Sequence, residues 1–135
     1  MAAFKIVIGT KNGKCIQKEV AEADAKTLIG KKIGDTIKGE IIGLTGYEFL
    51  ITGGSDYAGF PMRKDISGAN RKKILAVEGI GMKKQGDGQR QRKTVCGNTI
   101  HANTAQINVK VTTEGKTPLA PPAEEGKTEE APKKE

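Results

Sequence analysis

Phe4-Lys5-Ile6-Val7-Ile8-Gly9-Thr10-Lys11-Asn12-Gly13-Lys14-Cys15-Ile16-Gln17-Lys18-Glu19-Val20 has the pattern of two strands joined by a turn. Phe4, Ile6 and Ile8 alternate with Lys5 and Val7, the period-two pattern of a strand with one buried face. Lys11-Asn12-Gly13-Lys14 breaks that pattern, and Asn-Gly is the pair that adopts the left-handed backbone of a tight hairpin turn most readily. Cys15 to Val20 then reads as the return strand. The apolar run at the start has no basic residues ahead of it, so it is expected to be a first strand and not a secretory leader.

The same logic extends downstream. Ala21 to Ile29 is the one convincing helix, because Ala-Glu-Ala-Asp-Ala-Lys has high helical propensity and Gly30 can close it. Short β-like runs follow at Thr36–Ile42, Tyr47–Thr52 and Ile74–Val77, each set off by glycines or turn residues. Ile107, Val109 and Val111 alternate with Asn108, Lys110 and Thr112, as in a half-buried strand. The fold class expected is mainly β: a small antiparallel β-barrel-like domain with one short helix and basic loops. Periodicity does not separate barrel from sandwich closure.

The chain has 135 residues, of which 36% are hydrophobic and 4% aromatic. That suffices for one small core, expected over residues 1–115. From about Thr113 the pattern dissolves into Pro, Glu, Lys, Ala and Thr, with Pro118, Pro121, Pro122 and Pro132 interrupting any element. Residues 116–135 are therefore expected to form a disordered tail, since no apolar face offsets the entropy of ordering it.

The formal net charge is +7. Its position is more informative than its size. Residues 63–93 hold ten Lys/Arg against three Asp/Glu, so this one segment carries a surplus equal to that of the whole chain. A concentrated basic block marks a surface for an anionic partner. No stretch approaches the ~18 consecutive apolar residues of a membrane span. Cys15 and Cys96 form no CxxC pair, so neither a zinc site nor a disulfide framework is expected, and a reducing cytoplasm fits.

Candidates for chemistry are few. His101 is the only histidine and has no partner motif, so a structural role outweighs catalysis or metal binding. Cys96 follows a basic run that could lower a thiol pKa, but no base stands at a recognisable spacing, and a packed small residue is the better reading. Gly9 to Cys15 resembles a phosphate-binding loop in outline, yet is one residue short and has Cys15 where Ser or Thr would hold magnesium. Gly79-Ile80-Gly81 lacks the third glycine of a dinucleotide fingerprint. No catalytic residue, metal, cofactor or small-molecule substrate is expected.

The basic block offers Arg63-Lys64, Arg71-Lys72-Lys73, Lys83-Lys84 and Arg90-Gln91-Arg92-Lys93. Arginine grips phosphate through two parallel N–H bonds, and lysine adds point charge. Gly86 and Gly88 allow close backbone approach to a phosphate. Scarce aromatics disfavour single-strand platforms, so folded RNA read by shape and phosphate is the expected ligand. Neutralising about five to seven phosphates would give a salt slope of about −4 to −6. Ahead of the block, Phe60-Pro61-Met62 reads as an apolar plug fixing where it begins.

Gly53-Gly-Ser-Asp-Tyr-Ala-Gly-Phe-Pro-Met62 resembles the Gly-Gly-x-Asp-x-x-Gly-Phe-Pro-Met signature of small-subunit ribosomal protein six of eukaryotes and archaea. Arg90-Gln-Arg-Lys-Thr-Val-Cys-Gly97 is similar to that family's basic-plus-glycine stretch, and Ala102-Asn103 fits the segment after it. The resemblance covers roughly residues 3–115. It implies a β-rich domain seated on small-subunit ribosomal RNA in the cytoplasm, with neighbouring ribosomal proteins as further partners, no membrane, and a role in assembly and translation without catalysis. RNA contact carries over to Arg63, Lys64, Arg71, Lys72, Arg90, Arg92 and Lys93; Lys83 and Lys84 rest on charge alone. The family's eukaryotic members run on into a long basic tail with regulated serines, whereas this sequence has no serine after Ser67, so the short, Glu-rich form looks archaeal. A free RNA chaperone using the same surface fits the composition equally well.

Overall fold

The computed structural model of the chain describes residues 4–116. Strand β1 (Phe4–Gly9) and strand β2 (Cys15–Val20) form an antiparallel hairpin in register from Phe4 opposite Val20 to Gly9 opposite Cys15. The Thr10 amide and hydroxyl both donate to the Lys14 carbonyl at 2.9 Å, closing the loop over Asn12-Gly13. The alternation acts as expected: Phe4, Ile6 and Ile8 are buried while Lys5 is exposed.

Helix α1 (Glu22–Leu28) follows, with Ala21 and Ile29 at its ends. Glu22 and Asp24 in its first turn complement the positive end of the helix dipole. Its inner face is Ala25 and Leu28, both fully buried. Gly30 adopts φ 95°, and its amide donates to the Ile100 carbonyl at 2.9 Å, which ties the helix exit to the far end of the chain.

Strands β3 (Thr36–Lys38), β4 (Glu48–Asp56) and β7 (Thr104–Thr113) complete a five-stranded sheet in the order β2-β1-β7-β4-β3. One pairing departs from the antiparallel expectation: β1 and β7 run parallel, Ile6 opposite Ile107 and Ile8 opposite Val109. Alternation dictates which face of each strand is buried but not the direction of a partner from the other end of the chain. The sheet is barrel-like without a closed ladder: its outer strands are not paired with each other, yet the β2 side chain Lys18 donates to the Ile42 carbonyl, just beyond β3, at 3.4 Å. Phe4, Ile6, Ile8, Leu28, Ile37, Phe49, Ile51, Ile107 and Val109 form the core. Each large side chain of this kind stabilises the fold by about 1.5–3 kcal/mol.

Several expected segments have different boundaries: the run Tyr47–Thr52 starts at Glu48 and continues to Asp56, and the run Ile74–Val77 lies in a strand that begins at Arg71 and ends at Ala76. The run Thr36–Ile42 is a strand only to Lys38; Gly39–Ile42 is a 3-10 turn ending at Gly43. The cause is Gly39, whose missing side chain lets its backbone lie against Leu44 and Tyr47, so the chain reverses there. Arg92 and Lys93, expected in a basic loop, lie in strand β6 (Gln91–Cys96), antiparallel to strand β5 (Arg71–Ala76). The two form a separate ribbon. The expected tail lies outside the described residues except for Lys116.

Candidate nucleic-acid interface

The ribbon is rooted in the Gly53–Met62 segment. β4 and β7 shift register between Ile51 and Gly53 and again between Ser55 and Asp56, irregularities that bend the end of β4 while it stays paired with β7 as far as Asp56 opposite Thr104. Gly54 packs its backbone against the Gln106 carbonyl and the Met62 sulfur, where no side chain fits. The Met62 amide donates to the Gly54 carbonyl at 2.9 Å, the Cys96 amide to the Pro61 carbonyl at 2.8 Å, and the Arg63 amide to the Cys96 carbonyl at 3.1 Å. Pro61 to Arg63 thus staples β6 to β4. Of the expected apolar plug, Met62 is fully buried; Phe60 and Pro61 are half-buried.

Asp56 stands at the centre of this root and is 3% exposed. Its Oδ1 accepts from the Ala58 and Phe60 amides, both at 3.0 Å. Its Oδ2 accepts from Arg71 Nε at 2.7 Å and from the Cys96 thiol at 3.3 Å. A buried carboxylate without partners costs several kcal/mol, and these four donors offset that cost. Burial alone would raise the Asp56 pKa, but the bonds from Arg71, Phe60, Cys96 and Ala58 outweigh it and hold the carboxyl below its ordinary value. Cys96 moves the other way: burial, with the Asp56 carboxylate beside it, pushes the thiol up to about 11. The neighbouring basic run therefore does not activate it, and Cys96 is a packed thiol that donates a hydrogen bond.

Arg71 is held on three sides. Besides Asp56, its guanidinium lies over the Tyr57 ring, 5.1 Å from the centroid, and over the Phe60 ring at 4.8 Å. Arg63 is committed too: Nε and Nη2 donate to Asp65 at 3.0 and 2.8 Å, and Nη1 donates to the Ile80 carbonyl at 3.2 Å. Gly97 lets β6 leave the ribbon close beneath the loop of residues 66–70, because any side chain there would collide with the Gly68 carbonyl.

Beyond the root the charge is uncommitted. Cross-strand pairing puts Lys73 opposite Thr94 and Leu75 opposite Arg92 on the face that carries Arg71; Lys72 opposite Val95 and Ile74 opposite Lys93 share the other. Both faces of the ribbon are therefore basic. In the connecting loop Met82 is buried, the Gln91 side chain donates to the Lys83 carbonyl at 2.7 Å, and Lys84 pairs with Asp87 at 3.3 Å. Among the described residues Lys64, Lys72, Lys73, Lys83, Arg90, Arg92 and Lys93 are exposed and have no acidic partner within salt-bridge distance.

The ten basic residues singled out from sequence thus fall into two groups. Arg63 and Arg71 brace the ribbon, and Lys84 has one weak, exposed ion pair. The other seven are open to a ligand. Asp56, Tyr57 and Phe60, which organise the root, were not predicted as site residues, because fourteen intervening positions separate Asp56 from the arginine it binds and no spacing rule links them. His101 lies apart, its Nδ1 at 2.9 Å from the Thr104 hydroxyl in the turn leading into β7. No group of three or more metal-ligating side chains occurs among the described residues, and none of their helices is long and apolar enough to cross a membrane.

A small β domain with a basic two-stranded ribbon braced on a buried carboxylate defines a class: a protein built to meet a polyanion. The family model described as ribosomal protein S6e matches residues 4–123, and the chain belongs to that family. It is similar to the small ribosomal subunit protein eS6 of Methanothermobacter thermautotrophicus, 50% identical over 117 residues, covering 87% of this chain and 92% of the relative. The protein of the same name from Methanocaldococcus jannaschii is 48% identical over 82% of each chain. That from Natronomonas pharaonis is 44% identical over 85% of this chain and 89% of its own length.

Proposed function

We propose that this chain is a structural constituent of the small ribosomal subunit, not an enzyme, and that it holds ribosomal RNA through the outer part of the β5–β6 ribbon. The observation carrying the site assignment is the split just described. Lys64, Lys72, Lys73, Lys83, Arg90, Arg92 and Lys93 are exposed without ion-pair partners among the described residues, whereas the arginines at the root are consumed internally. Unneutralised charge on both faces of a narrow ribbon suits a duplex groove or a junction, where phosphates approach from two sides. The bracing keeps that charge at a fixed angle to the β domain, so binding does not have to order the ribbon root. Ribosomal RNA and neighbouring ribosomal proteins are the partners; the reading involves neither a membrane nor a small-molecule substrate.

Sedimentation tests the placement. The tagged chain, expressed in an archaeal host, is expected to travel with the small subunit through a gradient and to resist a high-salt wash. A chain that stays at the top, or leaves at modest salt, would be a transient RNA-binding module instead.

A further inference from the structure

The Gly53–Met62 segment holds one residue that the ionic reading leaves unused. Tyr57 is 69% exposed, the largest exposure among the described residues' big apolar side chains that face solvent. It is nonetheless firmly held. Its amide donates to the Asn103 carbonyl at 2.9 Å, and the residue before it is the buried Asp56. The turn beyond it is locked by the Ala58 and Phe60 amides on Asp56 Oδ1. The Arg71 guanidinium lies over its ring at 5.1 Å. An aromatic ring held this rigidly in water, with a cation over it, loses little entropy when something flat stacks on it.

From Tyr57 the ribbon leads directly to charge. Beyond Arg71, which the root engages, Lys73 and, opposite Leu75, Arg92 lie on the same face of β5–β6, in successive pairs about 7 Å apart along the strands. Successive phosphates of an RNA backbone are spaced on the same scale, so one strand can lie along this row while a base at its end reaches the tyrosine.

We propose that Tyr57 is a stacking platform for one unpaired base of the bound RNA, with Arg71 as the fixed cation over its ring. This rests on the RNA-binding reading above and adds a non-ionic contact to it. Stacking is sequence-tolerant and salt-insensitive, whereas the ribbon's lysines and arginines bind with a steep salt dependence. The two contributions can therefore be separated in one titration.

The test uses the full chain and protein-free archaeal small-subunit ribosomal RNA. Affinity is measured across a salt series for the native chain, Tyr57→Leu and Tyr57→Phe, with thermal melting of each protein alongside. Tyr57→Leu is expected to bind about tenfold more weakly at every salt concentration, with an unchanged slope. Tyr57→Phe is expected to bind like the native chain. Because the chain contains no tryptophan, Tyr57→Trp supplies a single fluorophore, expected to be quenched when RNA saturates it. Unchanged affinity for Tyr57→Leu, or unquenched fluorescence at saturation, overturns the platform. A change of slope on Tyr57→Leu also overturns it, because the ring would then act only by shielding Arg71. If the native chain binds no RNA, the RNA-binding reading itself falls, and the platform with it.

Discussion

Arg71 and Arg92 project from the same face of the same ribbon, four residue pairs apart at its two ends, and do opposite work. Arg71 donates to a buried aspartate and is flanked by two rings. Arg92 is exposed and has no acidic partner within salt-bridge distance among the described residues. A basic segment is thus not one surface. Its first arginines are spent on placing the ribbon, and the later residues carry the charge outward. What separates them is whether a carboxylate faces the guanidinium: the buried Asp56 holds Arg71, and the exposed Asp65 holds Arg63.

The sharpest way to break this contrast is to remove Asp56. Asp56→Ala leaves two amides, a thiol and a guanidinium without their acceptor. We expect it to lower stability by about 3 kcal/mol, toward the low end for a broken buried pair because Arg71 keeps some contact with water. Chemical denaturation measures this; a change below about 1 kcal/mol would mean that the root does not depend on the carboxylate.

A smaller effect comes from protons. The folded Asp56 carboxyl is held below its ordinary value of 3.8. Its contribution is therefore fully present above about pH 4 and is lost as the pH falls through the lower folded value. One such group changes stability by at most about 1.4 kcal/mol per pH unit in that window. Asp56→Asn should flatten the acid limb of the stability curve relative to the native chain; an identical limb would place the titrating group elsewhere.

The finest probe of the comparison is thiol accessibility. Cys15 is exposed and Cys96 buried. A thiol reagent near neutral pH should modify Cys15 rapidly and reach Cys96 only on unfolding, since burial and Asp56 both keep that thiol protonated. Rapid labelling of Cys96 in the folded chain would mean that the root opens.

Much of the body was legible before the structure. The Phe4–Ile8 alternation, the hairpin between β1 and β2, the helix closed at Gly30 and the Ile107–Val111 alternation all appear as elements, because each is a local pattern of burial or backbone preference; Asn12-Gly13 does not form the expected two-residue turn, since Gly9 faces Cys15 and the Gly13 amide donates to the Thr10 carbonyl. Non-local features were hidden. The parallel pairing of β1 with β7 leaves no mark on either strand. Strand β6 was hidden because Arg92 and Lys93 are both exposed, so Gln91–Thr94 shows no apolar alternation. The candidate site was half legible. Sequence located the charge at residues 63–93, but Asp56, which commits Arg71 to the root, lies outside that block and reaches it only through the fold.

We propose that open charge on the outer ribbon, and not the braced root, holds the RNA. The measurement that tests it most directly is the salt dependence of affinity for protein-free small-subunit ribosomal RNA, compared between the native chain and the double variant Arg90→Ala with Arg92→Ala. We expect the logarithmic slope to become shallower by about 2, with weaker binding at low salt and an unchanged melting temperature. An unchanged slope and affinity would contradict the account and move the RNA contact away from this ribbon.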